Sequence, residues 1–290
     1  MTTITHPRAL FALALILCAA NGCRMFPGDT LAKGHSPLKP ASPSPDSVAM
    51  EIIWARFPAN DPVMNDASWR EIDETQIEPA TRRELVNNGL RAGVISGTMP
   101  EAISRVLHEK RSSSEEASPT PAEKNAQLIS EPIVHGRVRR MRRNQRSEIQ
   151  ASEIYPQLPL LLSGGSELGG RTYEQAQAIY SLRVDPRPDR TALVELTPEL
   201  QYGEPKLRFT GGEDGILRQA SLRERKVFDD LRLSVRLAPG EMLVLMSLPD
   251  AGSRLGHYFH TTESVDGPQH KLILIRLAEV PPSDTFAIQP

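Results

Sequence analysis

Between Leu231 and Leu237 every second residue is apolar: Leu231, Leu233, Val235 and Leu237 alternate with Arg232, Ser234 and Arg236. A period of two puts the apolar side chains on one face of an extended chain and the charges on the other, which predicts a half-buried strand. Ala238-Pro239-Gly240-Glu241 follows with the chemistry of a type II turn, in which proline presets the first φ and glycine takes the positive second one. Met242 to Met246 is apolar throughout and predicts a central strand; Lys271 to Leu277 (KLILIRL) makes another. Further strands are expected within Thr172–Val184 and over Thr191–Leu200. Turn signals at Gly211-Gly212, Asp214-Gly215, Asp250 to Gly252 and Asp266-Gly267-Pro268 separate them. Residues 131–290 therefore read as a β-rich domain, mainly antiparallel, either a sandwich or a half-barrel.

Upstream, the periodicity changes. Val48 to Phe57 predicts a strand with Val48, Met50, Ile52 and Trp54 on one face, ended by Pro58, Asn60, Asp61 and Pro62. Asn65 or Asp66 is placed to cap a short helix carrying Trp69 and Ile72. A second helix is expected over Pro79–Asn88, with Leu85 and Val86 inward and Gly89 as its left-handed stop. Leu90–Ile95 returns as a strand, and Thr98 with Glu101 forms a capping box opening a helix to His108. This gives a small β-α-α-β-α module over residues 48–109, with its two strands expected to pair. The fold class is thus α+β: this module, a Ser/Glu/Pro/Ala-rich linker over 110–130, then the β-rich domain.

The first residues carry a different signal. Ala9 to Ala20 is an apolar run of signal-peptide length, too short to span a bilayer, and Arg8 precedes it. Ala20-Asn21-Gly22-Cys23 resembles a relaxed bacterial lipobox, with Ala20 where leucine is usual and Asn21 where a small residue is usual. The resemblance implies removal of residues 1–22 and acylation of Cys23; an ordinary export signal cut nearby is the alternative. The two cysteines are Cys18 and Cys23, and Cys18 lies within the apolar run. Cys23 would then be the sole cysteine of the mature chain, and lipidation accounts for an otherwise odd thiol. Residues 23–47, rich in proline, read as an extended tether. With 39% hydrophobic and 24% charged residues and a formal net charge of −2, the chain fits neither a multi-span membrane protein nor a fully disordered one.

Chemistry-bearing patterns are sparse. His257 and His260 invite a metal reading. The β-favouring Tyr258, Phe259, Thr261 and Thr262 instead predict extended chain with the two histidines on opposite faces, so no metal is assigned. Arg137, Arg139, Arg140, Arg142, Arg143 and Arg146 form a basic run without interleaved aromatics. Export removes nucleic acid as its partner and leaves anionic lipid headgroups or acidic envelope polymers. The competing reading is an edge strand that uses charge against sheet-to-sheet pairing. Ser163 to Gly170 lacks the Gly-Lys-Ser/Thr of a phosphate loop, and no Gly-x-Ser-x-Gly elbow occurs. Glu195 and Glu199 flank Pro198, but nothing local marks them as a catalytic pair. No cofactor and no catalytic residue is assigned.

The stretches IIWARFP, DPVMNDASWREIDE, TRRELVNNGLRAGVISGTMPEAI and ALVELTPELQYGEPKLRF, with the lipobox and tether, resemble uncharacterised envelope lipoproteins of planctomycete type. That resemblance implies a cell-envelope location facing the periplasm or exterior, with the membrane as partner through the acyl anchor. The end of the chain is similar to the closing β motif of secretins: Leu237-Ala-Pro-Gly-Glu-Met-Leu-Val-Leu245, Arg254-Leu-Gly-His-Tyr-Phe259 and Lys271-Leu-Ile-Leu-Ile275 follow in that order. Here Met246-Ser247 replaces the Gly-Gly of that motif, and no amphipathic lip follows. The expectation is an anchored envelope lipoprotein that binds or scaffolds envelope proteins or anionic polymers. An envelope-polymer enzyme with a site assembled from distant residues, or a secretin-like assembly component, is the alternative.

Overall fold

Two strands, Met242–Ser247 and the central part of Gly267–Glu279, are buried on both faces, and the architecture is organised around covering them. The computed structural model describes residues 47–115, 134–164, 167–211, 217–264 and 267–280. The expected signal peptide, Cys23, the tether, and linker residues 116–130 lie outside the described residues. The described residues belong to one compact unit. In chain order its elements are β1 (Ser47–Pro58), α1 (Pro79–Asn87), β2 (Leu90–Ile95), α2 (Glu101–Glu115), β3 (Val134–Arg142), β4 (Ser147–Gly164), β5 (Glu167–Pro186), β6 (Ala192–Gly211), β7 (Leu217–Val227), β8 (Leu233–Leu237), β9 (Met242–Ser247), α3 (Leu255–His260), β10 (Thr261–Ser264) and β11 (Gly267–Glu279). This is the expected α+β architecture, a small helix-and-strand module followed by a larger antiparallel β region.

One sheet has the order β2-β9-β11-β1-β3, with β10 added to β11; the other has the order β4-β5-β6-β7, with β8 on β6. All pairings between these strands are antiparallel. The expected pairing of the two N-terminal strands does not occur. β1 lies between β11 and β3, and β2 pairs with β9. The reason is burial: β9 and β11, apolar on both faces, must be interior, so β1 and β2 are drawn to flank them. The far edge of β2 is partly occupied, because Asp73 and Val94 exchange backbone bonds of 2.9 and 2.8 Å.

The first sheet is sandwiched. Val48, Met50, Ile52 and Trp54 of β1 share the expected face and join Leu243, Leu245, Ile273 and Ile275 against the second sheet's Tyr180, Val194 and Leu196. The other face of the same sheet, with Phe57, Val244, Leu272 and Leu274, is covered by Met64, Trp69, Ile103 and Val106. In β8 the alternation is as expected, with Leu233, Val235 and Leu237 buried and Ser234 and Arg236 exposed. Gly240 has φ 95° and Glu241 N–H bonds Ala238 O at 3.0 Å, which fits the expected turn.

Several local expectations are corrected. The segment after β1 is a π-helical turn (Val63–Ala67) followed by a 3₁₀ turn (Ser68–Arg70), without a side-chain cap from Asn65 or Asp66. Asp61 holds its start, its Oδ1 accepting from the N–H groups of Val63 and Met64. Asn65 is buried and donates to Ala59 O. Val86 faces solvent while Leu85 is inward. α2 continues past His108 and Lys110, into the range expected to be linker.

The tightest crossing joins α1 to α3. Asn88 is 1% exposed; its amide donates to Glu84 O and Ser163 O and accepts from Ser163 N–H, tying the end of α1 to the end of β4. Gly89 follows at φ 75°, as expected of the helix stop, and Gly256 N–H bonds Asn88 O at 2.9 Å. A Cβ added at Gly256 would stand 1.8 Å from Gly89 O. Gly256→Ala is therefore expected to cost about 3 kcal/mol of stability, read as a lower urea midpoint; an unchanged midpoint would contradict this crossing.

Candidate functional site

β3 is the outer strand of the first sheet, and its register on β1 divides the arginine run. His135, Arg137, Arg139 and Met141 stand opposite Trp54, Ile52, Met50 and Val48, on the face turned toward the second sheet. Val138, Arg140 and Arg142 take the opposite face, all three exposed. The turn into β4 carries the other two arginines. Arg143 contacts Asp185 at 3.2 Å and donates to Pro186 O; Arg146 donates to Ser181 Oγ at 2.9 Å and Glu199 Oε2 at 2.6 Å and also bonds Glu148. Arg139 donates to Ser147 Oγ at 2.9 Å and Glu148 O at 3.3 Å. Arg143, Arg146 and Arg139 thus pin β3 and its turn to the second sheet. Arg137, Arg140 and Arg142 are exposed and form no ion pair among the described residues.

The inward arginines open onto a cleft of about 480 Å³ between the sheets. One wall is the β1–β3 pair, where the Trp54 and His135 rings stack at 4.7 Å and 9°. The other wall is β4 at a bulge: pairing with β5 is interrupted between Gln150 and Ile154. The bulge's carbonyls are met by side chains. Trp54 Nε1–H donates to Gln150 O at 3.1 Å, Lys271 Nζ to Ala151 O, and Gln177 Nε2–H to Ser152 O at 3.0 Å. Bulges break ladder pairing and re-aim side chains, and here Trp54 and Lys271 tie the freed carbonyls to the first sheet.

A second groove, of about 420 Å³, runs over the outer face of the β5–β6–β7 sheet and contains Glu195 and Glu199. Glu199 is 4% exposed and lies between Arg146 and Arg225, at 2.6 and 3.6 Å. Two guanidiniums on one carboxylate make this a cross-strand ion-pair ladder.

Extended chain was expected at His257 and His260, but both lie in α3. The overriding cause is tertiary: Leu255 and Phe259 are fully buried and Gly256 packs on Gly89. His260 is fully buried, with Nε2 at 2.7 Å from Tyr180 Oη and Nδ1 at 2.7 Å from Lys271 O. Among the described residues no group of three His, Cys, Asp or Glu is arranged to hold a metal ion. Burial pushes His260 down to about 3 and Tyr180 far up, and burial raises Tyr155 to about 12. Burial also lowers His270, with His257 adding to the effect.

The cleft was not anticipated. Its signal is that core-facing positions of β3 hold His135, Arg137 and Arg139 where β1 holds apolar residues. Arginines on both faces of β3 hide that pattern in the sequence.

The depressed His260 sets a pH dependence. The unfolded chain takes up a proton near pH 6.5, which the folded chain refuses until about 3. The stability contribution is therefore present above pH 6.5 and lost progressively as pH falls, by about 1.4 kcal/mol per pH unit. Urea unfolding should show a fall in stability from pH 7 to pH 5 that is about 2 kcal/mol smaller in His260→Gln; equal falls in both proteins would refute a neutral buried His260. No family model, curated protein or solved structure matches the chain.

Proposed function

We propose that the chain is a lipid-anchored envelope protein that acts by binding, held at a membrane by acylated Cys23 and steadied there by the outward arginines of β3. One observation carries the reading. Arg142 and Arg140 pair with Ser47 and Ala49, so the exposed arginines sit at the root of the segment that leads back to Cys23. An acyl anchor binds firmly when a second signal accompanies it, and each arginine near an anionic surface adds about 1 kcal/mol. The lipobox resemblance and the lone mature cysteine support the anchor itself. Among the described residues no helix is long and apolar enough to cross a membrane.

A second reading, a secretin-like assembly component, draws on the second sheet. β4, β5 and β6 have 18, 20 and 20 residues, and their outer parts expose Leu168 and Leu207, which are 68% and 70% exposed. Long paired strands with exposed leucines suit lateral packing between copies. Multi-angle light scattering decides it: a monomer ends this reading.

The intact mass of protein from membranes should show residues 1–22 removed and acyl chains on Cys23; an unmodified Cys23 overturns the anchor. In Cys23→Ala protein, Arg140→Gln with Arg142→Gln should lower association with phosphatidylglycerol vesicles about tenfold or more at low salt, corresponding to about 1 kcal/mol per arginine. Phosphatidylcholine vesicles should show no change, and equal loss on both vesicles would overturn the role of the arginines.

A further inference from the structure

We infer that the cleft between β3 and the β4 bulge is a binding site for a small anionic polyol, a sugar acid or sugar phosphate. The first observation is the character of the wall. The layer between the sheets is apolar along Val48, Met50, Ile52 and Ile273, then changes to His135, Arg137, Arg139 and Lys271 around the cleft. Charged side chains on the core face of a sheet are costly unless solvent or a counter-charge meets them. Inward charge does discourage edge pairing, but that role needs neither a bulged opposite wall nor a cleft of this volume. The second observation is shape. About 480 Å³ lies within the range of small-molecule sites and suits a ligand of one or two sugar rings.

The third observation is the distribution of donors and acceptors. Arg137 is exposed at the cleft and makes no ion pair among the described residues, which leaves its planar fork for a carboxylate or phosphate. Glu148 is occupied by Arg146 and by Gln201 Nε2–H at 3.1 Å, and Glu153 stands exposed on the bulge. Arg137 is thus a cleft cation that has no carboxylate partner among the described residues. Gln150, Gln177, Ser152 and Thr262 also line it and suit hydroxyl groups. His135, stacked flat on Trp54, supplies a ring surface for the apolar face of a sugar. This site uses the inward arginines and is independent of the membrane role of Arg140 and Arg142.

The chain has two tryptophans, and they report separately. The Trp54 indole N–H donates to the bulge at the cleft, whereas Trp69 packs on the opposite face of the first sheet beneath Arg91. The full chain, labelled with ¹⁵N-tryptophan in detergent and assigned through Trp69→Phe, is titrated with glucuronate, glucose 6-phosphate, glucose and inorganic phosphate. Saturable movement of the Trp54 signal by glucuronate or glucose 6-phosphate is expected, with Trp69 unmoved. Whichever anionic sugar acts names the acid group, and glucose should bind about tenfold more weakly or worse, since a charge-assisted pair is lost. Arg137→Gln should weaken binding of the anionic sugar by a similar factor, about tenfold, and Arg142→Gln should not. Absence of saturable movement overturns the site, as does an equal effect of Arg142→Gln. Inorganic phosphate matching the sugars would overturn the polyol assignment.

Discussion

The antiparallel pairing of β1 with β11 is the contact on which the rest of this structure depends. Met50 to Pro58 runs in register against Gln269 to Leu277 near the far end of the chain. β11 has apolar residues on both faces, so it is stable only with a strand on each side and a layer above and below. β1 and β9 provide the strands, the second sheet covers one face, and α2 with the turns around Met64 and Trp69 covers the other. The short N-terminal module therefore completes its core with strands from the end of the chain. A region of this size is marginal alone, and the pairing supplies the buried area it lacks.

The same arrangement leaves β3 outermost, and an outermost strand has to be managed. Three devices are visible. Arg143, Arg146 and Arg139 fasten the strand and its turn to the second sheet through carboxylates, two hydroxyls and carbonyls. Arg140 and Arg142 charge its outer face. Arg137 and His135 keep its inner face polar, so the sandwich opens there. One run of like charges thus performs structural, surface and site-forming roles, divided by strand alternation and by the turn.

The strands were legible in the sequence where the period of two was clean or the apolar run unbroken, as in β8, β9, β11 and the inner face of β1. Their partners were not, because register between segments far apart along the chain leaves no local trace; this is why β1 and β2 were expected to pair with each other. The sequence of α3 predicts extended chain because Tyr258, Phe259 and the threonines favour strands. The burial of Leu255 and Phe259 and the approach of Gly256 to Gly89, contacts between distant residues, explain the helix. The arginine run was visible as composition, but its division required the pairing with β1. Glu199 is visible in the sequence as an acid near Pro198, while the two arginines that grip it come from the turn before β4 and from β7. The cleft joins β1, β3, β4, β5, β10 and β11, and no spacing within one segment announces it.

The β1–β11 register also sets the order of events in making the protein. β1 is made before the other described strands, yet one of its two neighbours, β11, is made after all of them, so the central sheet cannot close until residues near Leu277 are available. Closing so long a loop costs entropy before any contact repays it, and such topologies fold slowly. Until β11 is made, the apolar face of β1 has no complete sheet to join, and the fold locks only when that strand arrives.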